Sequence, residues 1–458
     1  MTTPHPYEAQ KRENDAKVLA AERAGSGVVD GWPMHAVFEF TGACNLHCFM
    51  CGFEMLRDEL RDKGQTRFTL PIDMFRLVVE RAFPHIRTVN PTLGGEPLVL
   101  PYFDELLEAV AHYGCKLEMF TNGMLLRGER MEKMLPHVAR LTVSFDGATK
   151  ATFEHIRTGA NFEQVVDNVA QFARRRRGLG LRDQLKFCFN VVLMRENVRE
   201  LPAIVDLAAA HDVEFVSACY IIETDPSLRG SLPTHCPAET NAALAEARAR
   251  AKAHGIEIEF PEPLPEDAPP PAAAAPRSEP RSEPRSEPQS EPQSEPPSTK
   301  TAAATKAAAP EAAPTAVPTA TPAEFPAPPA EFVVPEPACA APDAGAVEEP
   351  APRPMAQPAD WRGKYYCDMP WRRVFVGLGG EVFPCCGPDR PILGNAFEQD
   401  FQTIWNGEEY RRLREGLFTG NLTDYCAKCP YLQKAGMLPY QERTEPRQKP
   451  PDSAVAAE

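Results

Sequence analysis

Cys44, Cys48 and Cys51 stand in the stretch TGACNLHCFMCG, at a C-x3-C-x2-C spacing. Three thiolates this close can hold three irons of a [4Fe–4S] cluster, because such clusters are built on cysteine ligands. The fourth iron then has no protein ligand nearby and is open to another molecule. That separates a site that does chemistry from a carrier of electrons. A zinc site is the competing account. Zinc sites usually draw four ligands from C-x2-C-type pairs, and the triplet does not have that spacing.

Such a loop must be held by regular structure. Strand and helix patterns alternate on either side of it: strands at 36–40, 87–93, 116–120, 141–145, 186–193 and 214–218, helices at 73–83, 102–113, 162–175, 199–210 and 239–253. This alternation predicts parallel strands with right-handed crossovers, closing toward a barrel. A doubly wound open sheet would show much the same pattern. In α/β barrels the active site gathers at the C-terminal strand ends, and the unusual sequences lie there. The cysteine loop follows the first strand and Gly94-Gly95-Glu96-Pro97 the second. Two glycines let backbone approach a ligand, and a glutamate can accept from an ammonium group. Thr121-Asn122-Gly123 follows the third strand, where Asn-Gly is also an ordinary turn signal. Ser144-Phe145-Asp146-Gly147 ends the fourth, with Arg157 downstream. An arginine suits a carboxylate because its fork can bind both oxygens. Asp146 is expected to order the turn. Cys219, Tyr220, Glu223 and Asp225 follow the sixth strand and could face substrate, although no motif supports them. Cys115, Cys188 and Cys219 lie in or beside strands and are expected in the core rather than as ligands. His47 has neither triad nor metal spacing.

Together these motifs resemble the radical S-adenosylmethionine (radical SAM) superfamily, with Met50 at the hydrophobic position before the last cysteine. The resemblance implies a partial (β/α)6 TIM-type barrel. It implies that the open iron chelates the amino and carboxylate groups of SAM. Reductive cleavage would give a 5′-deoxyadenosyl radical that takes hydrogen from substrate. By the same resemblance Gly94, Gly95, Glu96 and Pro97 bind the SAM amino group. Asn122 sits where the family often has this tripeptide, and Ser144 and Arg157 contact ribose and carboxylate.

Further on come Cys367, then Gly380-x4-Cys385 and the adjacent Cys386, then Cys426 and Cys429 as a C-x2-C pair. This segment resembles the auxiliary-cluster extension called SPASM, or its shortened form, twitch. Cys367, Cys385, Cys426 and Cys429 match that pattern, with Cys386 a rival to Cys385. No cysteine follows Cys429, so the resemblance is to twitch, with one auxiliary [4Fe–4S] cluster. Four ligands leave no open iron, which favours electron transfer; a structural zinc is the alternative. Residues 404–407 and 410–417 read as a short helix covering the site.

The expected organisation is a polar extension over 1–32, the barrel core over 33–260, a linker over 261–360, the cysteine-rich domain over 361–438 and a tail over 439–458. The linker holds more than half of the chain's 49 prolines, and Ser-Glu-Pro recurs five times in it. Such composition reads as disordered, extended and semi-stiff. Cys339 within it reads as a stray thiol. Its 16 acidic against 6 basic residues carry most of the net charge of −15, so no nucleic-acid surface is expected. The basic run Arg174 to Arg177 reads as a solvated helix end. There is no long apolar run and no secretory signal, so a cytoplasmic protein without a membrane partner is expected, with its 13 cysteines reduced.

Three accounts follow. The first is an enzyme that oxidises a small molecule, such as a cyclitol or sugar alcohol, with the auxiliary cluster as electron acceptor and a flavodoxin- or ferredoxin-type protein as reductant. The second is a peptide maturase that oxidises or cross-links a side chain. It is weakened by the roughly 33 residues before the first strand, too few for a leader-binding domain. The third is a two-cluster electron carrier without SAM turnover.

Overall fold

The computed structural model describes residues 5–62, 68–265, 362–387, 390–429 and 432–434. They fall in one unit, 1–271 with 327–458; the second unit, 272–326, lies outside the described residues. So do the expected linker from 266 on, with Cys339, and the expected tail.

Seven strands precede residue 266: β1 (His35–Phe38), β2 (Thr88–Asn90), β3 (Lys116–Thr121), β4 (Val138–Ser144), β5 (Lys186–Leu193), β6 (Phe215–Tyr220) and β7 (Glu257–Glu259). Five more follow: β8 (Tyr365–Tyr366), β9 (Arg373–Val376), β10 (Glu381–Phe383), β11 (Gly394–Asn395) and β12 (Gln433–Lys434). The main sheet runs β11-β10-β9-β1-β2-β3-β4-β5-β6-β7. From β9 through β7 every neighbour is parallel. The six expected strands are therefore present in sequential order, as a partial barrel must have them, and two more parallel strands flank them. One is short β7. The other is β9, which pairs with β1 from His35↔Arg373 to Phe38↔Val376. The cysteine-rich segment is thus built onto the same sheet.

Helices cover the outer face. In Phe103–Tyr113 the residues Phe103, Leu106, Leu107 and Val110 are buried at helical spacing, each contributing about 1.5–3 kcal/mol. On β3 Leu117, Met119 and Thr121 are buried beneath such helices, while Phe120 on the opposite face is 49% exposed.

The structure adds to one expectation and corrects another. The polar extension is a helix, Glu8–Arg23, packed into the fold. Its buried face is Lys11, Asn14, Asp15, Val18 and Glu22, nearly all polar, so hydrophobic periodicity could not reveal it. Each polar group there has a partner. Lys11 Nζ donates to Cys115 Sγ at 3.1 Å. Asn14 brackets the Trp32 backbone. Asp15 pairs with Arg87 at 2.7 Å. Glu22 pairs with Arg372 at 2.6 Å and accepts from Tyr366 Oη at 3.0 Å. Likewise the basic run is not all solvated. Arg176 is fully buried and donates to the carbonyls of Leu185 and Arg182 and to Glu214, while Arg175 pairs with Glu132 at the surface. No described helix is long and apolar enough to cross a membrane.

Candidate active site

The cysteine loop leaves the C-terminal end of β1 and runs into a helix, Gly52–Asp62, that the sequence reading missed. Cys44, Cys48 and Cys51 are all half-buried. Burial pushes the Cys48 thiol up to about 11, with the Arg157 charge pulling the other way. His47 Nδ1 sits 2.6 Å from Glu54, which also binds Arg57. Arg57 donates to the Gly42 carbonyl at 2.7 Å. These contacts pin the loop from below.

The Gly-Gly-Glu-Pro segment presses on this loop. A Cβ on Gly95 would lie 2.1 Å from the Thr41 carbonyl oxygen and 2.8 Å from that of Ala43. The Glu96 N–H donates to the Ala43 carbonyl at 2.8 Å. The Glu96 carboxylate turns inward and accepts from Thr121 Oγ1 at 2.8 Å, Asn122 N at 2.7 Å and Leu98 N at 3.2 Å. Pro97 opens the short turn Pro97–Val99. Asn122 Nδ2 in turn donates to Asn45 Oδ1 at 2.9 Å. The structure therefore ties the ends of β1, β2 and β3 into one network around Cys44.

The sequence reading missed Glu39, one residue beyond β1. Its carboxylate accepts from the N–H groups of Leu93 and Gly94 at 3.0 and 2.9 Å. A lone acid in the apolar run AVFEF was the available signal. Burial raises Glu39 to about 7 against the pull of those N–H groups, and raises Glu96 to about 7 against those of Asn122 and Thr121. Both folded values exceed the ordinary 4.5, so the folded state holds protons that the unfolded chain releases. The stability they contribute is complete below that value and is lost as the pH rises through about 7, up to about 3 kcal/mol for each. Metal-free protein should melt at a lower temperature at about pH 8 than at about pH 5, and Glu39→Gln should narrow the gap. Equal pH dependence in the variant and the wild type, by scanning fluorimetry, would contradict this.

Ser144 ends β4 and lies opposite Asn190 of β5. Asp146 does order its turn, accepting from Val192 N at 2.7 Å. It also pairs with Arg157 at 2.6 Å, both groups buried. Burial pushes the Asp146 carboxyl up and the Arg157 charge opposes it. Asn197, also missed, donates to the carbonyls of Asp146 and Val192. Arg157 Nε is buried without a hydrogen-bond partner among the described residues. Met50, partly buried, packs against an apolar cluster of Ile156, Met194, Ile221 and Leu228. Cys115 and Cys188 are buried as expected, whereas Cys219, expected with them in the core, is exposed near the end of β6. Glu223 is held by Arg229, and Asp225 caps the turn Pro226–Ser231.

The second cysteine set lies toward the other end of the sheet. β9 runs parallel to β1, Cys367 precedes its start, and β10 returns antiparallel to deliver Cys385. The four-residue length of β1 corresponds to roughly 13 Å between the two strand ends. Cys367 lies within electrostatic reach of Cys385 and Cys426, and Cys426 of Cys385 and Cys429. Cys385 is half-buried among them, whereas Cys386 is exposed. Two helices, Phe401–Trp405 and Glu408–Thr419, pack there where one was expected, with Trp405, Tyr410 and Leu417 buried. Tyr410 donates to the Phe383 carbonyl at 3.3 Å. Among the described residues no three His, Cys, Asp or Glu side chains converge on a single-ion site. The donor sets, thiols alone, three in one and four in the other, suit iron–sulfur clusters.

Comparison with known proteins agrees with this geometry. Residues 38–208 match the radical SAM superfamily. Residues 367–430 match the SPASM iron–sulfur cluster-binding domain. The chain belongs to the radical SAM superfamily. It carries a SAM-binding [4Fe–4S] cluster and an auxiliary cluster. The subtilosin biosynthesis protein AlbA of Bacillus subtilis is 31% identical over 111 residues, 24% of this chain and 23% of that protein. GTP 3′,8-cyclase of Rhodopirellula baltica is 34% identical over 131 residues, 28% of this chain and 36% of that protein. The chain thus matches about a third or less of the length of either relative. The structure of Streptococcus suis SuiB bound to S-adenosylmethionine superposes with a TM-score of 0.51 at 14% identity, covering 94% of this chain and 77% of that one. That likeness concerns the fold.

Proposed function

We propose that this radical SAM protein is an enzyme that removes hydrogen from an unreactive C–H bond and passes the remaining electron to the auxiliary cluster, a net oxidation. The observation that carries this is the placement of two cysteine sets at opposite ends of the adjoining parallel strands β1 and β9. Three cysteines leave an iron open for SAM; four leave none. When bound, the reduced cluster and SAM supply a 5′-deoxyadenosyl radical.

The chain's own residues do the rest. Cys44, Cys48 and Cys51 ligate the first cluster, and Cys367, Cys385, Cys426 and Cys429 the second. Gly94 and Gly95 would let backbone approach SAM, with Pro97, Asn122 and Met50 also holding it. Glu96 holds that backbone in place through Thr121 and Asn122. Ser144 meets the ribose. Arg157, steadied by Asp146, offers its unpartnered edge to the carboxylate. The inner face around Phe120 takes the substrate. A flavodoxin- or ferredoxin-type protein supplies the electron.

A second reading is peptide maturation, favoured by the similarity to a bacteriocin biosynthesis protein. The cyclase similarity points instead to a small molecule.

The test is SAM cleavage by anaerobically reconstituted protein with dithionite, following 5′-deoxyadenosine by chromatography. Wild type should form it, and a Cys44→Ala/Cys48→Ala/Cys51→Ala variant should form none. No product from wild type that holds both clusters by iron count, with candidate substrates present, would favour an electron carrier.

A further inference from the structure

We infer that Tyr425 donates a hydrogen bond to the Cys385 sulfur of the auxiliary cluster and thereby raises that cluster's reduction potential. This rests on the proposed ligand set Cys367, Cys385, Cys426 and Cys429. Tyr425 Oη lies 2.7 Å from Cys385 Sγ. In the free thiol either atom can donate. A ligated thiolate has no proton, so the phenol must then be the donor.

The surroundings are shaped for this contact. Tyr425 sits in the short helix Asp424–Ala427, one residue before Cys426. Thr423 caps that helix, its side chain accepting from Cys426 N at 3.3 Å. Phenol and ligand therefore move as one piece. Opposite, a Cβ on Gly387 would lie 2.2 Å from Tyr425 Oη. Only glycine at 387 leaves the hydroxyl its place. The Gly387 N–H also points at Cys385 Sγ, at 3.4 Å. Two donors thus meet one sulfur, while the neighbouring Cys386 is exposed.

Hydrogen bonds to cluster sulfurs help set the potential. A donor stabilises the reduced, more negative cluster over the oxidised one. An auxiliary cluster that accepts an electron gains driving force from this. Among the described residues Cys44 has the weak contacts of Leu46 N at 3.5 Å and Asn122 Nδ2 at 3.8 Å, and no hydroxyl so placed. Tyr425 is thus a positioning and tuning residue, since nothing requires it to touch substrate.

The experiment is a redox titration of full-length, anaerobically reconstituted protein, followed by electron paramagnetic resonance with iron counted beforehand. In Tyr425→Phe the auxiliary midpoint should move to lower potential, with the Cys44/Cys48/Cys51 cluster unmoved. Gly387→Ala keeps the phenol but displaces it and should shift the same midpoint in the same direction. An unchanged auxiliary midpoint in Tyr425→Phe with both clusters retained overturns the inference and leaves the two-cluster reading intact. If that variant loses its auxiliary cluster, Gly387→Ala decides, and an unchanged midpoint there is equally fatal. Wild type that takes up iron for only one cluster overturns the ligand set itself.

Discussion

Gly95→Ala should leave the protein unable to hold iron at Cys44, Cys48 and Cys51. The added methyl would meet two backbone carbonyl oxygens, those of Thr41 and Ala43, well inside contact distance. Side chains can swing away from an intruder, but carbonyls cannot move without moving the chain. Here that chain is the approach to Cys44. Ordinary overpacking costs about 1–3 kcal/mol, and a clash with backbone belongs at or beyond the upper end. Gly94→Ala is the informative control. Its nearest contacts would be with the Phe53 side chain, which is 36% exposed, rather than with backbone. Iron content and thermal unfolding of the two variants check this. Wild-type iron in Gly95→Ala would refute it.

Glu22→Ala should loosen the cysteine-rich segment from the barrel. Glu22 is almost wholly buried and binds Arg372 twice and Tyr366 once. Breaking a buried pair costs about 3–5 kcal/mol, because the partner charge is left without compensation. The Arg372 side chain is 26% exposed, so water relieves part of this and the lower end applies. Neighbouring contacts remain: Trp371 Nε1 donates to the Ser26 carbonyl at 3.0 Å, and Arg414 to that of Gly27 at 2.8 Å. The variant should therefore fold, yet lose its auxiliary iron to a chelator sooner than the iron at Cys44, Cys48 and Cys51. Glu22→Gln, which keeps the shape, should fall between. Equal rates of iron loss in wild type and Glu22→Ala would show that Glu22 is not the fastening.

What could be read from sequence follows a physical division. The cysteine spacings, Gly94-Gly95-Glu96-Pro97 and the strand ends are local signals, and the structure brings them to one place. The helix at 102–113 was legible because its buried face is apolar at helical spacing. The Glu8–Arg23 helix was not, because it buries Lys11, Asn14, Asp15 and Glu22, whose partners come from 18 to 350 residues away. Arg176 misled for the same reason: a basic residue at a helix end reads as solvated until Glu214 is known to face it. The pairing of β9 with β1 is a register between distant segments, which no local pattern encodes. Glu96 could be placed at a strand end, but not its inward turn onto Thr121 and Asn122.

That β9–β1 pairing also orders events during synthesis. β1 is finished early, yet the strand that covers its outer edge begins at Arg373, more than three hundred residues later. At 5–20 residues per second, the ribosome needs roughly a quarter of a minute to a minute to deliver it. Throughout that interval β1 presents unpaired N–H and C=O groups, the kind of edge on which nascent chains associate wrongly. Closure then carries a large loop entropy, which slows the last step of assembly. The barrel must wait, half-dressed, for the end of its own chain.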